Sequence, residues 1–415
     1  MKTYSEYGGS WSISYDPQNK TTYRIDLNGN KWTYIYNNTG QLLKKIDPLG
    51  YTTINIWDDN INLTSARDVR GYTITAQYDD RGNRIAITDP MGNTTKYTYH
   101  QTFNKITSIT DALGHTTTFE YDDKGNLVKI IDTLGNVTTM AYDQYGQLIA
   151  VTDANGNTIK YTYDSYGNLH TITNPLGNTT TMEYDILGNL TKITDANGNT
   201  TTYTYDILGR LISITDALGH TTTYAYDENS NLISVTDANG NTTTYEYNAY
   251  NQLVKMIDPL GNVTSYAYDN MGNLISKTDA NGNTITYTYD ALNRLVKKTY
   301  PDGSTIDYSY DAGGNLIGVT DANVDFNYTY DALNRLIKVC ETKFFNKCVR
   351  YTYDAVGNRL TMADPSGGVT SYTYDASNRL TSITNPFGET TTFTYDAVGL
   401  KTSMKLANGV TTTYS

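Results

Sequence analysis

Aspartate recurs in this chain at spacings that suggest acid–base chemistry. The stretch "YTYDALNRL" occurs twice, placing Asp290 and Asp331 after two tyrosines and before a polar turn, and related stretches put carboxylates ten residues apart, as at Asp185 and Asp195. Such a pair could act as general acid and general base, one carboxyl protonated and the other ionised. The motif, however, returns many times, whereas an active site needs one unique constellation of groups. An aspartate heading a turn also accepts N–H groups from that turn's own backbone. On that reading the carboxylates are scaffolding, and we assign no catalytic residue.

Other reactive types point the same way. "DANGN" at Asp153–Asn157 begins like a calcium loop, but its glycine is fourth rather than sixth and no glutamate closes a twelve-residue loop. The glycine-rich repeat of calcium β-rolls is also absent, so no metal site is expected. The four histidines are His100, His115, His170 and His220. His115 and His220 follow a turn glycine, where Asn usually stands, and read as turn residues. No zinc-protease helix motif, phosphate loop, dinucleotide fingerprint or nucleophile elbow is present, so no cofactor is expected and the chain reads as no enzyme. Cys340 and Cys348 bracket "ETKFFNK" on what read as neighbouring strands. They are a candidate disulfide if their Cβ atoms approach to about 4 Å; the alternative is two reduced thiols. A bridge would suggest an oxidising, extracellular location. Phe344 and Phe345, between them, form a candidate contact loop.

The elements that carry these residues follow from self-comparison. Tyrosine or tryptophan anchors fall at 15, 36, 57, 78, 99, 121, 142 and then every 21 residues to 310, continuing at 330, 353, 374 and 395, which makes 19 repeats. Each repeat reads approximately Tyr-Asp-x-x-Gly-Asn-Leu-x-x-Ile-Thr-Asp-x-x-Gly-Asn-Thr-Thr-x-Tyr-x, which contains two strands and two turns. In "TTYTYD" Tyr203 and Tyr205 share one face and Thr202 and Thr204 the other, the period of a strand. The turns, with Asp first and Gly fourth, fit a type I turn followed by a left-handed residue. All eight prolines occupy the second turn position, where their fixed φ suits a type I turn. Where the fourth residue is not Gly it is most often Asn, as at Asn293, Asn334 and Asn378, and Asn tolerates positive φ. Ile61, Phe103, Ser230 and Val324 break the rule and mark four turns expected to be distorted.

Composition bounds the chain as a whole. Among 415 residues there are 40 tyrosines but only seven phenylalanines and three tryptophans, a bias indicating one pattern throughout. We read residues 1–415 as a single repeat array. Residues 1–99 are more degenerate, with Trp11, Trp32 and Trp57 as a candidate N-terminal cap; 100–415 are regular, apart from an expanded repeat at 331–352. A net charge of −12 disfavours a nucleic-acid partner, which needs clustered basic residues. No apolar run approaches the roughly 20 residues of a membrane span, and the start lacks a signal-peptide apolar core. Export is therefore expected to be handled by other parts, or the chain is a fragment.

The expected fold class is all-β: an antiparallel meander of about 38 short strands. Laid flat such a sheet would run on the order of 180 Å, so it must curl or spiral into an open or partial shell. Tyrosine columns such as Tyr161 with Tyr163 and Tyr372 with Tyr374, joined by Leu127, Leu190, Leu211, Ile193 and Ile214, would hold it through local, additive contacts.

The repeated Tyr-Asp-x-x-Gly-Asn-Leu/Arg pattern resembles the YD or RHS repeat of bacterial RHS and wall-associated proteins, insecticidal toxin complex components and teneurins. The resemblance covers nearly the whole chain. It implies a β-shell of hairpins that encloses or displays a toxin or effector polypeptide, at the surface of a bacterium or outside it. In the family an Asp-Pro-x-Gly-Leu-type motif marks an autoproteolytic closing region. Asp47-Pro48-Leu49-Gly50 and Asp258-Pro259-Leu260-Gly261 echo it but sit at ordinary turn positions, so protease and toxin are not carried over. Two other readings remain open: a surface module binding glycans through its tyrosine faces, and a fibre that self-associates through its array ends.

Overall fold

The structure, a computed structural model, describes residues 2–6 and 9–414. Met1, Tyr7, Gly8 and Ser415, included above in the array, lie outside the described residues. No helix occurs among the described residues. Forty strands, from β1 (Lys2–Glu6) to β40 (Thr411–Thr413), form one antiparallel meander sheet in which neighbours in sequence are neighbours in space. The 19 anchors account for 38 of these, and β1 and β40 flank them. The physical cause is visible in any repeat. β20 (Thr200–Tyr205) has the β-branched and aromatic alternation of a half-buried strand, with Thr202 and Thr204 exposed and Tyr203 and Tyr205 half-buried. It pairs with β21 (Leu211–Thr215) across the Tyr-Asp turn, and β21 pairs with β22 (Thr221–Tyr226) across the Thr-Asp turn.

The two kinds of turn differ at the strand beside them. At the Tyr-Asp turn the ladder runs Thr204↔Ser213 and then Tyr205↔Leu211, so Ile212 is an extra residue, a β-bulge. At the Thr-Asp turn the pairs Ser213↔Thr223, Ile214↔Thr222 and Thr215↔Thr221 follow without interruption. The same skip recurs from Tyr36↔Leu42 to Tyr395↔Lys401. A bulge bends and twists its strand, so each repeat adds a bend of the same kind.

Most turns share one hydrogen-bond scheme. At Asp206 the backbone N–H donates to Arg210 O (3.0 Å), and the Gly209 N–H donates back to Asp206 O (2.9 Å). Gly209 has φ of 76°, and Asn293, Asn334 and Asn378 stand at 60°, 63° and 62° in the same position. Phe103 and Val324 do lie in irregular turns: the first carries its left-handed residue at Asn104 (φ 52°), and the second closes early through Asp321 N–H to Val324 O (2.9 Å). The expectation of distortion at Ile61 and Ser230 is corrected. Both adopt the left-handed conformation (φ 70° and 68°) and donate to Asp58 O and Asp227 O at 3.2 and 3.1 Å. The caps of Asp58 and Asp227 hold these turns against a conformational cost of roughly 1–2 kcal/mol.

The sheet is one layer thick. Among the described hydrophobic residues only Ala86, Met182, Cys340 and Tyr372 are buried. Stability therefore rests on ladders between neighbours rather than on a central core.

Contacts gather the array into two compact units. Unit 1 comprises residues 1–121, 130–137 and 286–415, and unit 2 comprises 122–129 and 138–285. Each has two rims, one lined by Tyr-Asp turns (the YD rim) and one by Thr-Asp turns (the TD rim). In unit 1 these rims touch. Thr133 Oγ1 donates to Ala376 O (2.9 Å) and lies 3.0 Å from Ser377 Oγ. Arg335 Nη2 reaches Met91 Sδ (3.3 Å), and Arg70 Nη1 lies 3.9 Å from Asp311 Oδ2. The Thr133–Ala376 contact spans 243 residues and the Met91–Arg335 contact 244, about eleven and a half 21-residue repeats. The half repeat is what brings a YD rim onto a TD rim, rather than like onto like.

Candidate functional site: the turn rims and the cysteine hairpin

The aspartates do not converge. Asp185 and Asp195 head turns at opposite ends of the five-residue strand Leu190–Thr194, which keeps them roughly 17 Å apart. Each is committed locally. Asp195 Oδ1 accepts the N–H groups of Asn197 (2.9 Å) and Asn199 (2.8 Å), and its Oδ2 accepts Asn199 Nδ2 (2.8 Å). These bonds, led by the Asn199 side chain, hold the carboxyl below its ordinary value. Asp290 has the same cap with an arginine in the Asn position. Burial works to raise its pKa, but Arg294, through its N–H and its Nε–Oδ2 bond (2.7 Å), brings the net shift below the ordinary value. A carboxylate held ionised and saturated with donors makes a poor general acid.

The arginine variants do more than cap. Arg210, Arg294, Arg335 and Arg379 each bind the turn aspartate through Nε and donate Nη1 to the next repeat's turn carbonyl, at Asp227, Asp311, Asp354 and Asp396 (2.8–2.9 Å). Each guanidinium lies over the next anchor ring, 4.8–5.0 Å from its centre. His115 and His220 place Nδ1 against Asp111 Oδ2 (3.2 Å) and Asp216 Oδ2 (2.9 Å), reproducing the Asn bridge. No group of three His, Cys, Asp or Glu able to hold a metal ion occurs among the described residues.

The tyrosine columns have a cause that sequence reading missed. Tyr205 Oη donates to Leu190 O (2.9 Å), Tyr226 Oη to Leu211 O (2.9 Å) and Tyr268 Oη to Leu253 O (2.8 Å), fifteen residues back, and in the expanded repeat Tyr353 Oη donates to Leu336 O (2.8 Å), seventeen back. The acceptor is the residue that opens the bulged strand. Trp57 Nε1 makes the equivalent bond to Leu42 O (3.0 Å). The anchor thus needs an aromatic ring with a donor, and the excess of Tyr over Phe was the available signal.

Cys340 and Cys348 are directly opposite each other on β33 (Leu336–Glu341) and β34 (Lys347–Tyr353), Cα atoms 4.1 Å apart and sulfurs at bonding distance. Glu341 takes the place of the usual aspartate and accepts N–H groups of Lys343 (2.9 Å) and Phe345 (2.8 Å), while Lys343 Nζ binds the carbonyls of Asp321 (2.9 Å) and Ala322 (2.6 Å). The tip is thereby fixed, with Phe344 and Phe345 exposed.

A second signal escaped the sequence reading. The residue after the Tyr-Asp aspartate is alanine in six consecutive late repeats, Ala291, Ala312, Ala332, Ala355, Ala376 and Ala397. In unit 1 the YD rim approaches the TD rim here, and small residues make room. At Gly313 an added Cβ would stand 2.8 Å from Arg70 Nε.

A single-layer meander of turn-capped 21-residue hairpins, with rims that meet half a repeat out of phase, defines a structural β-shell protein. The teneurin YD-shell model matches residues 182–318 and 240–399, more than half the sequence, and the chain belongs to that family. The RHS repeat model matches 78–106, 102–137, 121–158, 142–179 and 163–200. No curated protein matches the chain in sequence. Among solved structures it is similar to TcdB2-TccC3-Cdc42 (TM-score 0.51, 15% identity, 97% of this chain and 27% of that chain). TcdB2-TccC3-TEV is similar to the same degree (0.51, 15%, 96% and 29%), as is the Photorhabdus luminescens Tc holotoxin pore (0.50, 15%, 96% and 27%). At such identity the likeness is one of fold, and this chain spans less than a third of those chains' length.

Proposed function

We propose that the chain is a stretch of non-catalytic wall in a bacterial RHS-type protein at the cell surface or outside the cell, where it encloses or displays a toxin or effector polypeptide. The observation that carries this reading is the rim contact in unit 1. A strip whose edge returns onto its own opposite edge after 243 residues makes a wall rather than a ribbon. The commitment of turn aspartates such as Asp195 and Asp290 to their own turns supports the non-catalytic part. Sugar stacking on the tyrosine columns draws less support, because column rings such as Tyr203 and Tyr205 are half-buried and the anchor hydroxyls are engaged. To test enclosure, an unfolded reporter polypeptide is appended after Ser415 and protease added. Reporter fragments should persist where free reporter is consumed; digestion at the free rate would sink the proposal.

In the same setting we propose that Cys340 and Cys348 are bridged. Two thiols lose two protons and two electrons to an oxidised dithiol carrier of the exporting compartment. Intact mass after alkylation without reductant should show no added label. Two labels on freshly secreted protein would refute the bridge.

A further inference from the structure

Unit 1 shows what the two rims do when they meet, and unit 2 carries both kinds uncovered. Its YD rim presents Tyr145, Tyr166, Ile186, Leu187, Ile207 and Leu208 at four successive turns, with Ile186 90% and Ile207 95% exposed. Turns on one rim lie two strands apart, roughly 10 Å, so the row is about 30 Å long. Polar turns bound it, Asp122-Asp123-Lys124 before and Asp227-Glu228-Asn229 after. Its TD rim presents Leu176, Leu218 and Leu260, alternating with the shorter Asn197 and Asn239. Leu218 is 82% exposed, whereas Leu134, at the same turn position on the TD rim of unit 1 beside the contact at Thr133, is 43% exposed. The aspartates beneath these side chains are already occupied by their own turns, so the rims offer partners chiefly apolar surface. An apolar row of this length exceeds the scattered apolar residues that surfaces ordinarily carry.

We propose that a second copy of this chain covers these rims: the YD rim at 145–208 of one copy seats on the TD rim at 176–260 of another, turn on turn. A second copy is favoured over an unrelated partner because unit 1 joins the same two rim types edge to edge, and because one molecule carries both halves of the contact. Joining unlike rims makes the contact heterologous, so it propagates from copy to copy. This proposal rests on the rim geometry and is independent of whether the strip encloses a polypeptide.

The test is sedimentation velocity of the full chain across about 1 to 100 µM, the range in which a modest apolar contact dissociates. The wild-type chain should associate with rising concentration. Ile186→Asp with Ile207→Asp removes the YD row, and Leu176→Asp with Leu218→Asp removes the TD row. Each double variant should sediment as a monomer with unchanged circular dichroism, and an equimolar mixture of the two should form a dimer and nothing larger. Leu187→Lys, a single exposed change, provides a second YD-rim variant should the double variant misfold, and should weaken association about tenfold. A wild-type chain that stays monomeric throughout, as expected if another stretch of repeats covers the rims in cis, or a mixture that fails to pair, overturns the proposal.

Discussion

At the scale of the residue, the array depends on two side chains that recur in fixed roles, the anchor tyrosine and the turn aspartate. Tyr205→Phe keeps the ring and removes the donor to Leu190 O, so it should cost about 0.5–1.5 kcal/mol in urea denaturation. Trp57→Phe should cost a similar amount, since the indole N–H makes the same bond; no loss in either would mean that the bond contributes nothing. The two groups also set a pH window. Asn199 and backbone amides hold Asp195 below its ordinary value of 3.8, so its contribution is present above that value and lost as pH falls through the folded pKa. Burial raises Tyr205 above its ordinary value of 10.0, so its contribution is full below that value and lost as pH rises through the folded pKa. Melting temperature should therefore be flat between about pH 5 and 9 and fall on both sides. A melt unchanged at about pH 2 would contradict the role given to the caps.

At the scale of the element, the unit is a hairpin whose turn holds one residue in the left-handed region. At Gly198 φ is 85°, and an added Cβ would meet nothing within 4 Å. Gly198→Ala should therefore cost about 1 kcal/mol through backbone conformation alone, and Gly198→Asn less, as the natural Asn turns show. Equal losses for the two variants in thermal melts would count against that account. The bulge beside each Tyr-Asp turn belongs to this scale too. The carbonyl beside it, as at Leu211, is the acceptor of the next repeat's anchor, Tyr226, so bulge and anchor are one device.

At the scale of the whole molecule, the rim contact of unit 1 joins residues that local rules leave far apart. Ala376→Leu would drive a larger side chain into the rim opposite Thr133 and should destabilise that contact by about 1–3 kcal/mol. Ala249→Leu places the same change on the exposed YD rim of unit 2 and should be close to neutral. Hydrogen exchange distinguishes the two: faster exchange near both 133 and 376 is expected in the first variant alone. Faster exchange near 376 with none near 133 would show that the rims are not coupled.

Strands, turn type, prolines and left-handed asparagines were legible in the 21-residue period, because the interactions that create them reach only four residues along the chain or across to the adjacent strand. The same locality made the aspartates readable as caps. Ile61 and Ser230 were misjudged because residue preference at one position was weighed without the cap that overrides it. The hydroxyl bond of Tyr226 reaches fifteen residues back, to the Leu211 carbonyl beside a bulge, a partnership that no local residue preference specifies. Which rim meets which, and after how many repeats, was decided by tertiary structure alone. That step is the accumulated bend of about eleven repeats, a sum of small twists to which every bulge contributes and which no single motif encodes. Its trace in the sequence is the run of alanines from Ala291 to Ala397, which acquires a meaning once Ala376 is found against Thr133.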